Sequence, residues 1–199
     1  MIDSTIRYFD SPGKRNTDQV MDAVTRRLEL GGITHIVVAS NSGYTVERLL
    51  SRVGDRPINV VAVTHHCGFK TEGECEMEQD VEDSLRSKGV RIVRASHVLS
   101  GIERSITKEL GGASRVEAIS ESLRALFGQG LKVCVEITVM AADNGAIPCG
   151  DLEVMAIGGT GTGADTACIV RPAHANSFFD FEIREILAIP RVKRKGKRK

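Results

Sequence analysis

Apolar and polar positions along this chain follow two alternating periods. Val20, Val24 and Leu28 recur at helical spacing after Asn16, Thr17, Asp18 and Gln19, whose order matches a capping box, and Gly31 and Gly32 end the stretch. Residues 33–39 (ITHIVVA) form an apolar run of strand length. Val46, Leu49, Leu50 and Val53 return to helical spacing, so a second helix is predicted from about Gly43. Residues 58–63 (INVVAV) follow Pro57 as another strand. Residues 76–88 carry acids first, bases last and Met77, Val81 and Leu85 between, with Gly89 as a stop. A short strand at 90–93 comes next.

Two weaker helical patterns occupy 102–110 and 114–127, and Ser114 with Glu117 has capping-box spacing. Residues 131–140, 152–157 and 166–170 then read as strands with no helix between them. Parallel βαβ units followed by a hairpin predict an α/β fold: a three-layer α/β/α sandwich on a mostly parallel sheet, with an antiparallel C-terminal hairpin. No linker or repeat interrupts the pattern. A single ligand-binding domain over 1–190 is expected, with 191–199 read as a basic, disordered tail.

Charge sharpens that boundary. The last nine residues, RVKRKGKRK, hold seven of the 27 Lys and Arg, so 20 remain in the body against 26 Asp and Glu. An acidic body offers such a tail no basic groove to extend, so nucleic-acid binding is not expected. The five cysteines are odd in number and include no Cys-x-x-Cys pair. That usage fits a reducing compartment with most thiols simply buried. No apolar run reaches the length of a membrane span, and the first residues lack a secretory pattern, so a cytoplasmic protein is expected.

Ligands of open α/β sheets bind beyond the carboxyl ends of the strands, which directs attention to three loops. Ser40, Asn41, Ser42, Gly43 and Thr45 lead from a strand straight into a helix. Hydroxyls and free backbone N–H groups at a helix N-terminus suit a phosphate, although one such residue would suffice as a plain cap. Gly158, Gly159, Thr160, Gly161, Thr162 and Gly163, closed by Asp165 and Thr166, hold more glycine than a tight hairpin needs, which suggests close approach of backbone to ligand. Neither a Walker loop nor a dinucleotide fingerprint fits, since no Gly-Lys-Ser/Thr and no helical pattern follow. Thr64, His65, His66 and Cys67 end the second strand. Adjacent residues of a strand point to opposite sides, so a shared metal ion is not expected there, and a histidine touching a ligand competes with a purely structural one.

These loops carry a family resemblance. The strand, Ser40-to-Thr45 loop and helix, followed by Arg56, Pro57 and a strand ending in Thr64, resemble the start of the pyruvate kinase C-terminal domain. The glycine hairpin resembles that domain's effector loop. The pattern is also similar to a group of small stand-alone, mostly archaeal proteins with this α/β domain. It is carried here by Tyr8, Phe9, Asp10, Lys14 and Thr17, by His97, Gly101 and Arg104, by Met140 to Asp143, and by Gly161 to Thr166. For that group the resemblance implies bound flavin mononucleotide (FMN) and no established reaction. His97, Ser100, Glu103 and Arg104 follow the third strand within reach of the same rim, which places His97 among the expected cofactor-binding residues, although a helix start with a solvated ion pair also explains the stretch. The resemblance adds Asp143, which before Asn144 and Gly145 also reads as an ordinary turn. Phosphoryl transfer from phosphoenolpyruvate is not implied, because that site lies in a barrel domain which 199 residues do not hold beside this one.

Three classes of function follow. The first is a protein that binds a phosphorylated small molecule, FMN foremost. The second is an enzyme acting on a phosphorylated metabolite, with His65, His66 or His97 as acid or base and Glu103 assisting. The third is a ligand sensor that signals through a partner or a homo-oligomer contact.

Overall fold

The computed structural model describes residues 4–193, so most of the basic tail (194–199) lies outside the described residues. The strands are β1 (Arg7–Phe9), β2 (His35–Ala39), β3 (Asn59–Thr64), β4 (Arg91–Arg94), β5 (Val154–Gly158), β6 (Thr166–Arg171) and β7 (Glu182–Pro190). They form one seven-stranded sheet in the order β1-β7-β6-β5-β2-β3-β4. β2 pairs in parallel with β3 and β5, and β3 with β4. β6 runs antiparallel to both β5 and β7, while β7 is parallel to β1. The fold is therefore a mixed α/β layer structure on a mostly parallel sheet with one reversed strand.

The unbroken apolar strands follow from burial on both faces. Ile36 and Val38 of β2, Val60 and Ala62 of β3, and Met155 and Ile157 of β5 point into one core. That core is closed by α1 (Thr17–Glu29), α2 (Tyr44–Val53) and α3 (Gln79–Ser87) through Val24, Leu49 and Leu85. The alternate residues Val37, Val61, Val63 and Ala156 point to the other face. There they meet Leu131, Cys134 and Ile137 of α6 (Gln129–Asp143). Outside α6 lies α5 (Arg115–Phe127), and α4 (Gly101–Leu110) packs on α5.

The segment 131–140 is thus a helix and not the predicted strand. Its β-branched residues imitate a strand, and a helix buried almost all round shows no polar stripe. Of the two predicted capping boxes, one forms. At α5 the Ser114–Glu117 capping box forms as expected. At α1 it does not: Asn16 has helical backbone angles, and its side-chain amide donates instead to the Ser11 carbonyl at 2.8 Å.

The cysteines also depart from the expectation that most are simply buried. Cys134 and Cys168 are buried, but Cys67 and Cys75 are joined in a disulfide, with Cα atoms 4.1 Å apart. The chain between β3 and α3 turns back on itself, which brings these two together. Among the described residues, no helix is long and apolar enough to cross a membrane.

Candidate functional site

The carboxyl ends of β2, β3 and β5 open into a cavity of about 300 Å³. Ser40, Asn41, Ser42 and Thr45 form one wall, and Gly159, Gly161, Thr162 and Gly163 another. Thr64, His65 and His97 contribute from the ends of β3 and β4. The two glycine-containing loops, far apart in sequence, therefore face the same space.

The first wall is the start of α2. Its N-cap, Gly43, has φ 79° and no side chain to cap the helix. The first backbone N–H groups are left for solvent or a ligand, and the helix dipole favours an anion there. Gly43 itself faces away from the cavity, because a β-carbon there would sit 2.7 Å from Val81 Cγ1. The Ser40 hydroxyl lines the cavity, is almost wholly buried and has no hydrogen-bond partner. Bonded to no other group of the protein, this hydroxyl is free to bond to whatever enters the cavity.

Asn41 is fixed by β3. Its side-chain oxygen accepts from the His65 backbone N–H at 3.1 Å and from the Thr64 hydroxyl at 3.4 Å. Its amide lies 3.1 Å from His65 Nδ1, and the same ring nitrogen contacts the Glu76 carboxylate. Burial opposes ionisation of Glu76, but Lys70 and His65 outweigh it and hold its pKa below the ordinary carboxylate value. His65 lies over Phe69, ring centroids 3.8 Å apart, and meets His97 edge-on at 5.0 Å. Phe69 and His97 are also edge to face, at 5.1 Å. Burial first, then the neighbouring cations, lowers the His97 pKa to about 4 despite the opposing pull of Glu136.

In the glycine loop, much of the excess glycine serves the protein's own packing, which corrects the reading that a ligand explains it. A β-carbon on Gly159 would collide with the Gly163 carbonyl, and one on Gly163 would lie 2.5 Å from Thr17 Oγ1. Only Gly161, at φ 82°, has open space beside it. Asp165 is wholly buried behind the loop and holds it in place. It accepts from the backbone N–H of Gly13 at 2.9 Å and of Thr160 at 3.0 Å, and from the Thr166 hydroxyl at 2.9 Å. Thr160, Asp165 and Thr166 thus support the cavity without lining it. His66 stands at the rim, its Nδ1 2.7 Å from the Cys67 carbonyl.

Asp143 does not belong to this constellation. It ends α6, whose beginning is at the cavity, and its carboxylate accepts from the Ala175 backbone N–H and meets His174 Nδ1, each at 3.1 Å. Its carboxylate lies beyond Ile137, the last residue of α6 to line the cavity, so its place is a turn contact towards the other edge of the sheet.

Several lining groups are absent from the expected cofactor-binding residues. Lys14 lies over the Tyr44 ring at 4.1 Å, and both line the cavity. Arg104 and Arg124 reach it from α4 and α5. Lys132 and Glu136 are buried and paired in the first half of α6, and burial lowers the Lys132 pKa. Their spacing of four residues was the available signal for a helix with a polar cavity-facing row. A smaller cavity of about 220 Å³ continues from the first past Ser100, Arg104 and Arg124. The charged groups of the lining are thus mainly cationic, with Glu136 as the buried acid. Among the described residues, no group of three or more His, Cys, Asp or Glu side chains is placed to hold a metal ion.

A family model described as the pyruvate kinase alpha/beta domain matches residues 18–170, which include both cavity-lining loops. The chain belongs to that family. Its mixed α/β architecture on a mostly parallel seven-stranded sheet is consistent with that domain. Similarity also extends to the crystal structure of a pyruvate kinase from Cryptosporidium parvum, at 15% identity and a TM-score of 0.41. That match covers 79% of this chain and 23% of the kinase, so the domain spans about a quarter of the length of that enzyme.

Proposed function

We propose that this pyruvate kinase alpha/beta domain binds a phosphorylated small molecule, FMN foremost, with the phosphate at the start of α2. The observation that carries the reading is the unpartnered Ser40 hydroxyl at the mouth of a helix without a side-chain cap. A phosphate would accept from that hydroxyl and from the free N–H groups of the first turn, and Lys14 adds positive charge to the same cavity. For a flavin ring, the tilted faces of His65, Phe69 and His97 offer a stacking wall in a chain that has no Trp. Bound FMN would supply one- or two-electron chemistry. This chain's part would be to hold the phosphate, screen the ring from water and place His65.

A second reading has its own support. Glu76 behind His65 orients the imidazole as the partner of a general acid or base does, so the same cavity suits proton transfer to or from a phosphorylated metabolite. Titration of the purified protein with FMN, followed by flavin absorbance and fluorescence, separates the two. Saturable quenching with one equivalent bound supports the flavin reading. Binding of inorganic phosphate or a sugar phosphate without FMN binding supports the second, and binding of none of them defeats both.

A further inference from the structure

The Cys67–Cys75 disulfide closes the loop that carries Phe69 into the wall of the cavity, and nothing in the ligand reading uses it. It joins residues only eight apart and closes the connection from β3 to α3. That connection carries Phe69, which lines the cavity and lies against His65 and His97, and ends in Glu76, which holds His65. Little else orders it. Gly68 N–H donates to the Glu74 carbonyl at 2.7 Å and Glu74 N–H to the Thr71 carbonyl at 3.2 Å, while the Lys70–Glu76 pair has an exposed lysine. Both Cys67 and Cys75 are exposed, as are Thr71 to Glu74 between them. Apart from Phe69, the loop presents no apolar side chain to the body of the protein.

We propose that Cys67 and Cys75 form a reversible redox pair that takes dithiol reductants and that, through the 65–76 loop, sets the affinity of the cavity for its ligand. In the reducing direction a thiolate of the dithiol attacks one cysteine sulfur. The Cys67–Cys75 bond breaks and a mixed disulfide forms. The second thiol of the reductant then displaces the cysteine, leaving two protein thiols and the oxidised reductant, with two electrons and two protons transferred. The exposure of both sulfurs admits such a reductant, and the short closed loop gives the reduced segment many more conformations. Phe69 and Glu76 then hold their places against His65 for only part of the time. Apparent affinity falls by the fraction of time the wall is formed, so a wall formed one-tenth of the time weakens binding about tenfold.

The affinity part rests on the ligand reading, so the test has one arm that needs no ligand. Oxidised and dithiothreitol-reduced proteins are compared for tryptic cleavage after Lys70 and for FMN binding, alongside Cys67→Ser/Cys75→Ser checked for folding by circular dichroism. Expected are at least tenfold faster cleavage and about tenfold weaker FMN binding in the reduced form. The double variant should match the reduced protein and ignore dithiothreitol. Thiol labelling of Cys67 and Cys75 in mildly oxidised protein would overturn the proposal, as would equal cleavage of the two forms. Failure of both forms to bind FMN defeats the flavin reading alone, and the cleavage arm still decides the redox pair. Equal FMN affinity in two forms that differ in cleavage overturns the control of affinity.

Discussion

The Lys132 ammonium and the Glu136 carboxylate are paired 2.5 Å apart, one turn along α6, with both side chains almost wholly buried. Glu136 also accepts from the Leu99 backbone N–H at 3.1 Å, tying α6 to the segment that follows β4. Taking charges out of water is costly, and removing one partner leaves the other uncompensated. Glu136→Gln should therefore lower stability by about 3–5 kcal/mol. Adding Lys132→Met should recover part of that loss, because it removes the orphaned cation while glutamine still accepts from Leu99. Urea unfolding of the two single variants and the double variant measures the coupling. Additive losses would mean that the pair is not a unit.

Ser40 predicts effects of opposite sign on fold and ligand. Its buried hydroxyl bonds to no other group of the protein, so Ser40→Ala removes no internal hydrogen bond. Stability should stay level or rise by about 1 kcal/mol. Binding of a phosphorylated ligand should weaken by about 1.5–3 kcal/mol, the worth of a hydrogen bond to a charged group. Calorimetric titration beside thermal melts checks both. Unchanged affinity would take Ser40 out of the phosphate cradle.

His97 gives the fold a pH dependence with a definite sign. Its pKa is lowered from 6.5 to about 4, chiefly by burial, so the unfolded chain takes up that proton first. Its contribution to stability is present above about 6.5 and is lost as pH falls from there towards 4. Carboxylates titrate in the lower part of the same window, so the measurement is a difference. The loss of melting temperature between pH 7 and pH 4.5 should be smaller in His97→Gln than in the parent. Equal losses would show that His97 is protonated in the fold as readily as outside it.

How far these features could be read from the residues depends on what surrounds each one. β2 and β3 were legible because a sheet covered on both faces needs apolar residues at every position, and Val37 and Val38 serve opposite cores. The loops after them were legible because strand direction alone puts Ser40 and Thr64 at the carboxyl edge. α6 was hidden by the same burial: only Val133 among residues 130–142 escapes it, and valine and isoleucine do not announce a helix. With it went Lys132 and Glu136, which a strand would have placed without relation to the cavity. β1 has three residues, too few to show a period, and β7 begins with Glu182, Arg184 and Glu185 before turning apolar. The disulfide was illegible because sequence spacing says nothing about a chain that doubles back.

Gly161 and Gly163 separate a glycine that serves the ligand from one that serves the fold. Both have positive φ, 82° and 70°, so any other residue carries backbone strain of about 1–2 kcal/mol. Beyond that they differ. A β-carbon on Gly163 would lie 2.5 Å from Thr17 Oγ1 and 2.9 Å from Lys14 Cα. The Thr17 hydroxyl accepts from the Ala164 N–H at 3.0 Å and donates to the Lys14 carbonyl at 2.6 Å, so displacing it loosens the join between this loop and the start of α1. Gly163→Ala should therefore lose more stability than strain alone explains, and its ligand affinity should fall only in step with the fold. At Gly161 a β-carbon meets no atom within 4 Å, and the residue faces the cavity. Gly161→Val should stay folded yet bind FMN at least tenfold more weakly, about 1.4 kcal/mol, while inorganic phosphate still competes at the start of α2. Thermal melts and competition titrations on the two variants read these effects apart. A folded Gly161→Val protein with the parent's FMN affinity would place the tip of the hairpin outside the bound ligand, since a valine there has nowhere to point but the cavity and the solvent beside it.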